Sequence, residues 1–121
     1  MIAVIVGGAL GALVRFATER WSVRRFHERV PYGTLVVNLV GSLMLGIAAG
    51  LHERTAISDE LLLFIGTGFC GALTTFSGWI GQIYTRGRHH ETRNVAFAYL
   101  AVSLIAGIAL AYTGYTVTSP R

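Results

Sequence analysis

The chain has 121 residues, of which 53% are hydrophobic and only 13% charged. Soluble domains carry about 25% charge, and a chain this short cannot hide so much apolar surface in one water-excluded core. Mean hydropathy is +0.57. The net charge of +4 comes from ten cations, all arginine, clustered between apolar runs; such clusters flank membrane spans more naturally than they bind nucleic acid. Disorder, a disulfide scaffold and a nucleic-acid arm are excluded, and a single all-α membrane domain over residues 1–121 is expected.

Cutting the sequence at its charges predicts four spans, at about 2–18, 32–51, 61–85 and 95–117. Each is near the ~20 residues that cross a bilayer at 1.5 Å per residue. The first is the shortest, and Arg15 near its end can snorkel to the headgroups. A cleaved signal peptide competes for that stretch, but it lacks a positive leading region and a clear small-residue cleavage site. Gly7 and Gly11 lie four apart in span one, as do Ser42, Gly46 and Gly50 in span two, so neighbouring helices can approach closely.

Span two holds the one amide well inside a span, Asn38, with Thr34 and Ser42 one turn to either side on the same face. It either hydrogen-bonds across a helix interface or donates its NH₂ to an anion. Span three is the anomaly, with four glycines and four hydroxyls within residues 66–79. That composition suits an unbroken lipid-facing helix badly. Interrupted backbone at membrane depth is tolerated where protein buries it or it lines a cavity, and freed carbonyls can hold a cation; a straight helix with glycines for packing is the competing reading. Phe76 and Trp79, three apart, share a face; they either pack or present ring edges to an anion. Span four is generic. The lone Cys70 forms no intrachain disulfide.

Connections 19–31, 52–60 and 86–93 are short. The first and third, with Arg15, hold eight arginines, against Arg54 and Arg121 on the opposite side. The positive-inside rule then puts both termini outside a multi-pass cell-membrane protein. No Asp, Glu, Lys or His falls inside a span. A proton-coupled exporter, including the small multidrug type with its buried carboxylate, lacks its titratable group. A metal enzyme or intramembrane protease lacks ligands or an acid–base pair. The chain is therefore expected to be no enzyme, but a passive path or a structural and assembly subunit.

Three stretches resemble the CrcB/Fluc fluoride channels: Gly8-Ala-Leu-Gly11-Ala-Leu-Val-Arg15-Phe16, then Gly33-Thr34-Leu-Val-Val-Asn38-Leu-Val-Gly41-Ser42, then Gly68-Phe-Cys70-Gly71-Ala-Leu-Thr74-Thr75-Phe76-Ser77. The resemblance implies an antiparallel dimer of four-span subunits in lipid, with a break in the third span and fluoride passing along the subunit boundary. It implies a structural, non-transported sodium ion on the backbone carbonyls of Gly71 and Thr74. It places Asn38, Phe76 and Trp79 on the fluoride path with the Thr75 and Ser77 hydroxyls, and Arg15 either in an anion vestibule or snorkelling. Two departures stand out. Trp79, preceded by Gly78, replaces the usual phenylalanine, and its indole could donate to fluoride or obstruct it. The arginine bias also suits one fixed orientation, so the partner is either a second copy or an oppositely oriented paralogue.

Overall fold

The computed structural model describes residues 1–26, 32–75, 78, 81 and 90–120. Helix α1 spans Ile2–Phe26 and α2 spans Tyr32–Glu53. The third stretch opens as α3, Asp59–Leu62, and passes through a π-helix, Leu63–Cys70, into a short helix, α4, Gly71–Leu73; beyond the break Gly78 and Gly81 are again helical. The last helix, α5, spans His90–Thr118. There is no strand among the described residues. Among the described residues three helices are long and apolar enough to cross a membrane: Ile2–Arg25, Tyr32–Glu53 and Phe97–Thr118.

Two boundaries differ from those that the hydropathy marks. The segment 19–26, expected as part of a connection, continues α1 without interruption. Apolar composition reports depth in the bilayer, not where a helix stops, and no Gly or Pro lies between Thr18 and Phe26. The extension is seated against α2: the buried Ser22 hydroxyl accepts from the Gly33 N–H at 2.9 Å. The Arg20 guanidinium lies 5.4 Å from the Phe16 ring centroid, one turn back. Likewise α5 begins at His90, ahead of the apolar window.

The third stretch starts conventionally. The Ser58 side chain accepts from the Leu61 N–H, with Asp59 and Glu60 in the first turn, where carboxylates suit the positive end of a helix. The Asp59 carboxylate also meets His52 Nε2 at 2.6 Å, fastening this start to the end of α2.

Small residues bring the helices together. Gly7 and Gly11 of α1 lie against the backbone carbonyls of Phe64 and Phe69 in the π-helix. On the facing side, a Cβ on Gly68 would come 2.8 Å from the Val4 carbonyl. Gly46 and Gly50 of α2 meet Ala111 and Thr118 of α5, and Gly114 returns the contact at the Leu43 carbonyl. The pairings ascend together along both seams, so α1 runs parallel to the third stretch and α2 parallel to α5. Between the seams, α2 crosses the third stretch in the opposite sense, Asn38 meeting Thr75 and Leu45 meeting Gly66. The arrangement follows from having no water to expel: helices in lipid gain by close backbone contact instead.

The core is correspondingly small-grained. Its buried hydrophobic side chains are Val37, Ala48, Cys70 and Leu73, joined by Ser22, Thr34 and Ser103. Large aliphatics face outward, among them Ile2, Ile5 and Leu13 of α1 and Ile105, Ile108 and Val117 of α5. A soluble fold inverts that distribution.

Candidate functional site

The third stretch loses its helix at one residue. Thr74 has φ −77° and ψ 152°, extended backbone, directly after the αR turn that ends at Leu73. The last α-type bond is the Thr74 N–H to the Cys70 carbonyl at 3.0 Å. The Thr74 hydroxyl donates to the same carbonyl at 2.9 Å. One residue on, the Thr75 N–H would bond the Gly71 carbonyl in a continued helix. It donates instead to Asn38 Oδ1 at 2.9 Å. Asn38 Nδ2 reaches back toward the Thr75 carbonyl at 3.4 Å, so the amide reads the broken backbone from both ends.

Two further groups hold the break. Gly41, one turn after Asn38 on α2, has no side chain where the Thr74 methyl sits. From α1, Arg15 Nη1 lies 3.5 Å from the Thr74 carbonyl. A guanidinium on a membrane helix is tolerated where it faces backbone oxygen and not hydrocarbon. The Thr75 hydroxyl accepts from the Gly78 N–H at 3.1 Å.

Five of the residues marked in the sequence thus converge: Arg15, Asn38, Gly71, Thr74 and Thr75. Phe76, Ser77 and Trp79 lie outside the described residues. The interruption expected of the stretch is present, at Thr74. Gly66 and Gly68 ahead of it are buried against neighbouring helices, the packing role that the competing reading gave to glycines in a straight helix.

Asn38, Gly71, Thr74 and Thr75 line one open groove of about 360 Å³. Its far wall is α5, through Ser103 and Gly107, and its floor includes Cys70 and Ser42. A fourth span read as generic had hidden that wall. The signal was present: Ser103 and Gly107 repeat the four-residue spacing of small residues seen in spans one and two. Gly71 is exposed along the groove. The surface is mostly apolar, with amide, hydroxyl and carbonyl groups at a few points, and no described carboxylate or lysine lines it.

Such a surface can do two things. Amide and hydroxyl protons can replace water around a small anion, and exposed carbonyls can replace it around a hard cation. A carbonyl oxygen has two lone pairs, so the long Arg15 contact leaves acceptor capacity on Thr74, and Gly71 has lost its helical donor. The donor set fits an alkali cation, with two oxygens from this chain.

Comparison with known proteins supports the same direction. The chain is 40% identical over 114 residues, 94% of its length and 93% of the relative's, to "Fluoride-specific ion channel FluC 1" of Geobacillus kaustophilus (strain HTA426). It is 39% identical over 113 residues to "Fluoride-specific ion channel FluC 2" of Mycobacterium bovis, covering 93% of this chain and 86% of that one. With "Fluoride-specific ion channel FluC" of Shewanella loihica it shares 31% over 121 residues, 100% of this chain and 97% of the other. The family profile described as "CrcB-like protein, Camphor Resistance (CrcB)" matches residues 2–115, nearly all of the helical frame and the broken third stretch with it. The chain belongs to the CrcB-like family.

Proposed function

We propose that this protein is a fluoride-specific ion channel that lets fluoride leave the cell passively, and no enzyme. The observation that carries the reading is the groove at the Thr74 break, where donors and carbonyls stand without a described carboxylate, lysine or histidine. Fluoride is small and tightly hydrated, so its water must be exchanged for close donors already in position. Asn38 has one N–H turned to Thr75 and a second available to an ion; the Thr75 hydroxyl, and on sequence grounds those of Ser77 and the rings of Phe76 and Trp79, continue the path. No fixed cation on the path traps the ion. The inside-negative potential drives the anion outward by ~2.3 kcal/mol per 100 mV.

A groove open on one side encloses no ion, so a second subunit is needed to close it; the family resemblance makes that unit an antiparallel dimer of four-span subunits. The Gly71 and Thr74 carbonyls would hold a structural sodium ion between the subunits, where it would supply positive charge without being transported. Arg15, by facing the Thr74 carbonyl, steadies the backbone there and adds positive potential to the approach.

Liposomes loaded with potassium fluoride and given valinomycin, with sodium present, test the activity. Protein alone should release fluoride rapidly, with chloride retained, where a second copy closes the groove; where a paralogue closes it, the same release needs both subunits reconstituted together. Substitution of Phe76 by isoleucine should cut that flux at least tenfold with the dimer intact; lost assembly with unchanged flux per dimer would instead mark a packing residue.

The arginine asymmetry and Trp79 favour one refinement, in which the partner is an oppositely oriented paralogue and both termini of this chain face outside. A C-terminal tag should then be accessible from the outside only. Comparable labelling from both faces would mean that the chain inserts both ways and pairs with itself.

A further inference from the structure

The break at Thr74 has no covalent cause. The two prolines of the chain are Pro31 and Pro120, far from it in sequence. No described glycine has positive φ, so no left-handed cap ends the helix at Leu73. Helices that stop without either device need another partner for the N–H that leaves the ladder. Here that partner comes from 37 residues away: Asn38 Oδ1 takes the Thr75 N–H at 2.9 Å.

That diversion has a consequence at the preceding turn. The Gly71 carbonyl is the acceptor that a continued helix would have given to Thr75, and it is this carbonyl that the diversion releases. Asn38 is half-buried within α2, and Gly41 on the same helix admits the Thr74 methyl.

We propose that Asn38 is a positioning residue for the cation site: its side-chain oxygen captures the Thr75 N–H and thereby frees the Gly71 carbonyl for sodium. The same amide's NH₂ faces the groove, so one side chain serves both ions from its two ends. Oxygen builds the cation site and nitrogen serves the anion path. This rests on the reading of Gly71 and Thr74 as the sodium carbonyls.

The test separates the two ends. Purified dimers in sodium-free detergent are titrated with sodium and followed by calorimetry or by sodium-23 relaxation, with fluoride efflux measured in parallel. Asn38→Asp keeps an oxygen that accepts from Thr75 in either protonation state, and loses the NH₂. It should bind sodium no more than about threefold more weakly than the parent, and more tightly where the carboxylate is ionised, while efflux falls at least tenfold. Asn38→Leu removes the acceptor and should weaken sodium binding tenfold or more; Asn38→Ala, with less bulk against the break, replaces it if the leucine variant does not assemble.

Sodium binding by Asn38→Leu or Asn38→Ala equal to the parent's overturns the proposal, as does an Asn38→Asp dimer that loses sodium as fully as Asn38→Leu. If the parent itself binds no sodium, the carbonyl site falls and this proposal with it. That outcome is distinct from the first two, in which the parent binds.

Discussion

Gly46→Ala should lower the thermal midpoint of the purified protein by about 10 °C, and Gly46→Val should leave no folded protein to purify. A Cβ at Gly46 would drive into the Ala111 carbonyl oxygen and stand 2.8 Å from its carbon. No side chain can rotate away, because the obstacle is backbone, so α2 and α5 must part along the seam that Gly50 and Gly114 share. Overpacking of this kind costs about 3 kcal/mol, at the upper end of its usual range. For chains of this size each kcal/mol moves the midpoint by about 3–4 °C. Gly8→Ala is the control: its Cβ would find the Gly68 carbonyl at 3.9 Å, ordinary contact. Since alanine is the better helix former by up to ~1 kcal/mol, that variant should melt at or above the parent temperature. Equal melting of Gly46→Ala and Gly8→Ala, read by a thermal scan in detergent, would mean that the α2–α5 seam is looser than described.

Gly71→Leu should leave the subunit folded but abolish the dimer and the efflux together. In the single chain Gly71 is exposed, and among the described residues a Cβ there meets only the Gly66 carbonyl, at 3.8 Å. No described residue resists a larger side chain. In the proposed dimer the same surface faces the partner at the centre, where a leucine would hold the carbonyls apart. Size-exclusion chromatography with light scattering reads the outcome: a helical monomer with no fluoride efflux is expected. A dimer that still conducts would move the subunit boundary away from the Thr74 break.

Both predictions turn on residues whose importance was visible in the sequence and whose partners were not. Four-residue spacing marked Gly7, Gly11, Gly46 and Gly50 as contact points, because helical periodicity is local. Which backbone each would touch depends on helices tens of residues away. The interruption of the third stretch was legible from its crowding of glycine and hydroxyl residues. Its position was not, since Thr74 turns out where Asn38, on another helix, can take the next N–H. The π-helix at Leu63–Cys70 left no mark in composition; an i→i+5 ladder uses the same residue types as an α-helix. Ser103 and Gly107 went unnoticed because a lone serine in an apolar span reads as tolerated, until α5 is seen to wall the groove. The resemblance supplied the roles of Phe76, Ser77 and Trp79, which their own spacing could not.

The glycine seams have a thermal consequence. A helix interface built from leucine or methionine must freeze rotamers as it closes, at about 0.5–2 kcal/mol per side chain. At Gly7, Gly11, Gly46 and Gly114 there is no rotamer to freeze, so closing each seam forfeits almost no conformational freedom. What holds the seams is dispersion between backbones that are already rigid, and dispersion is short-ranged. Such an assembly should soften little on warming and then fail abruptly, since separation by a fraction of an ångström forfeits much of the attraction at once. A narrow melting transition is the expected signature.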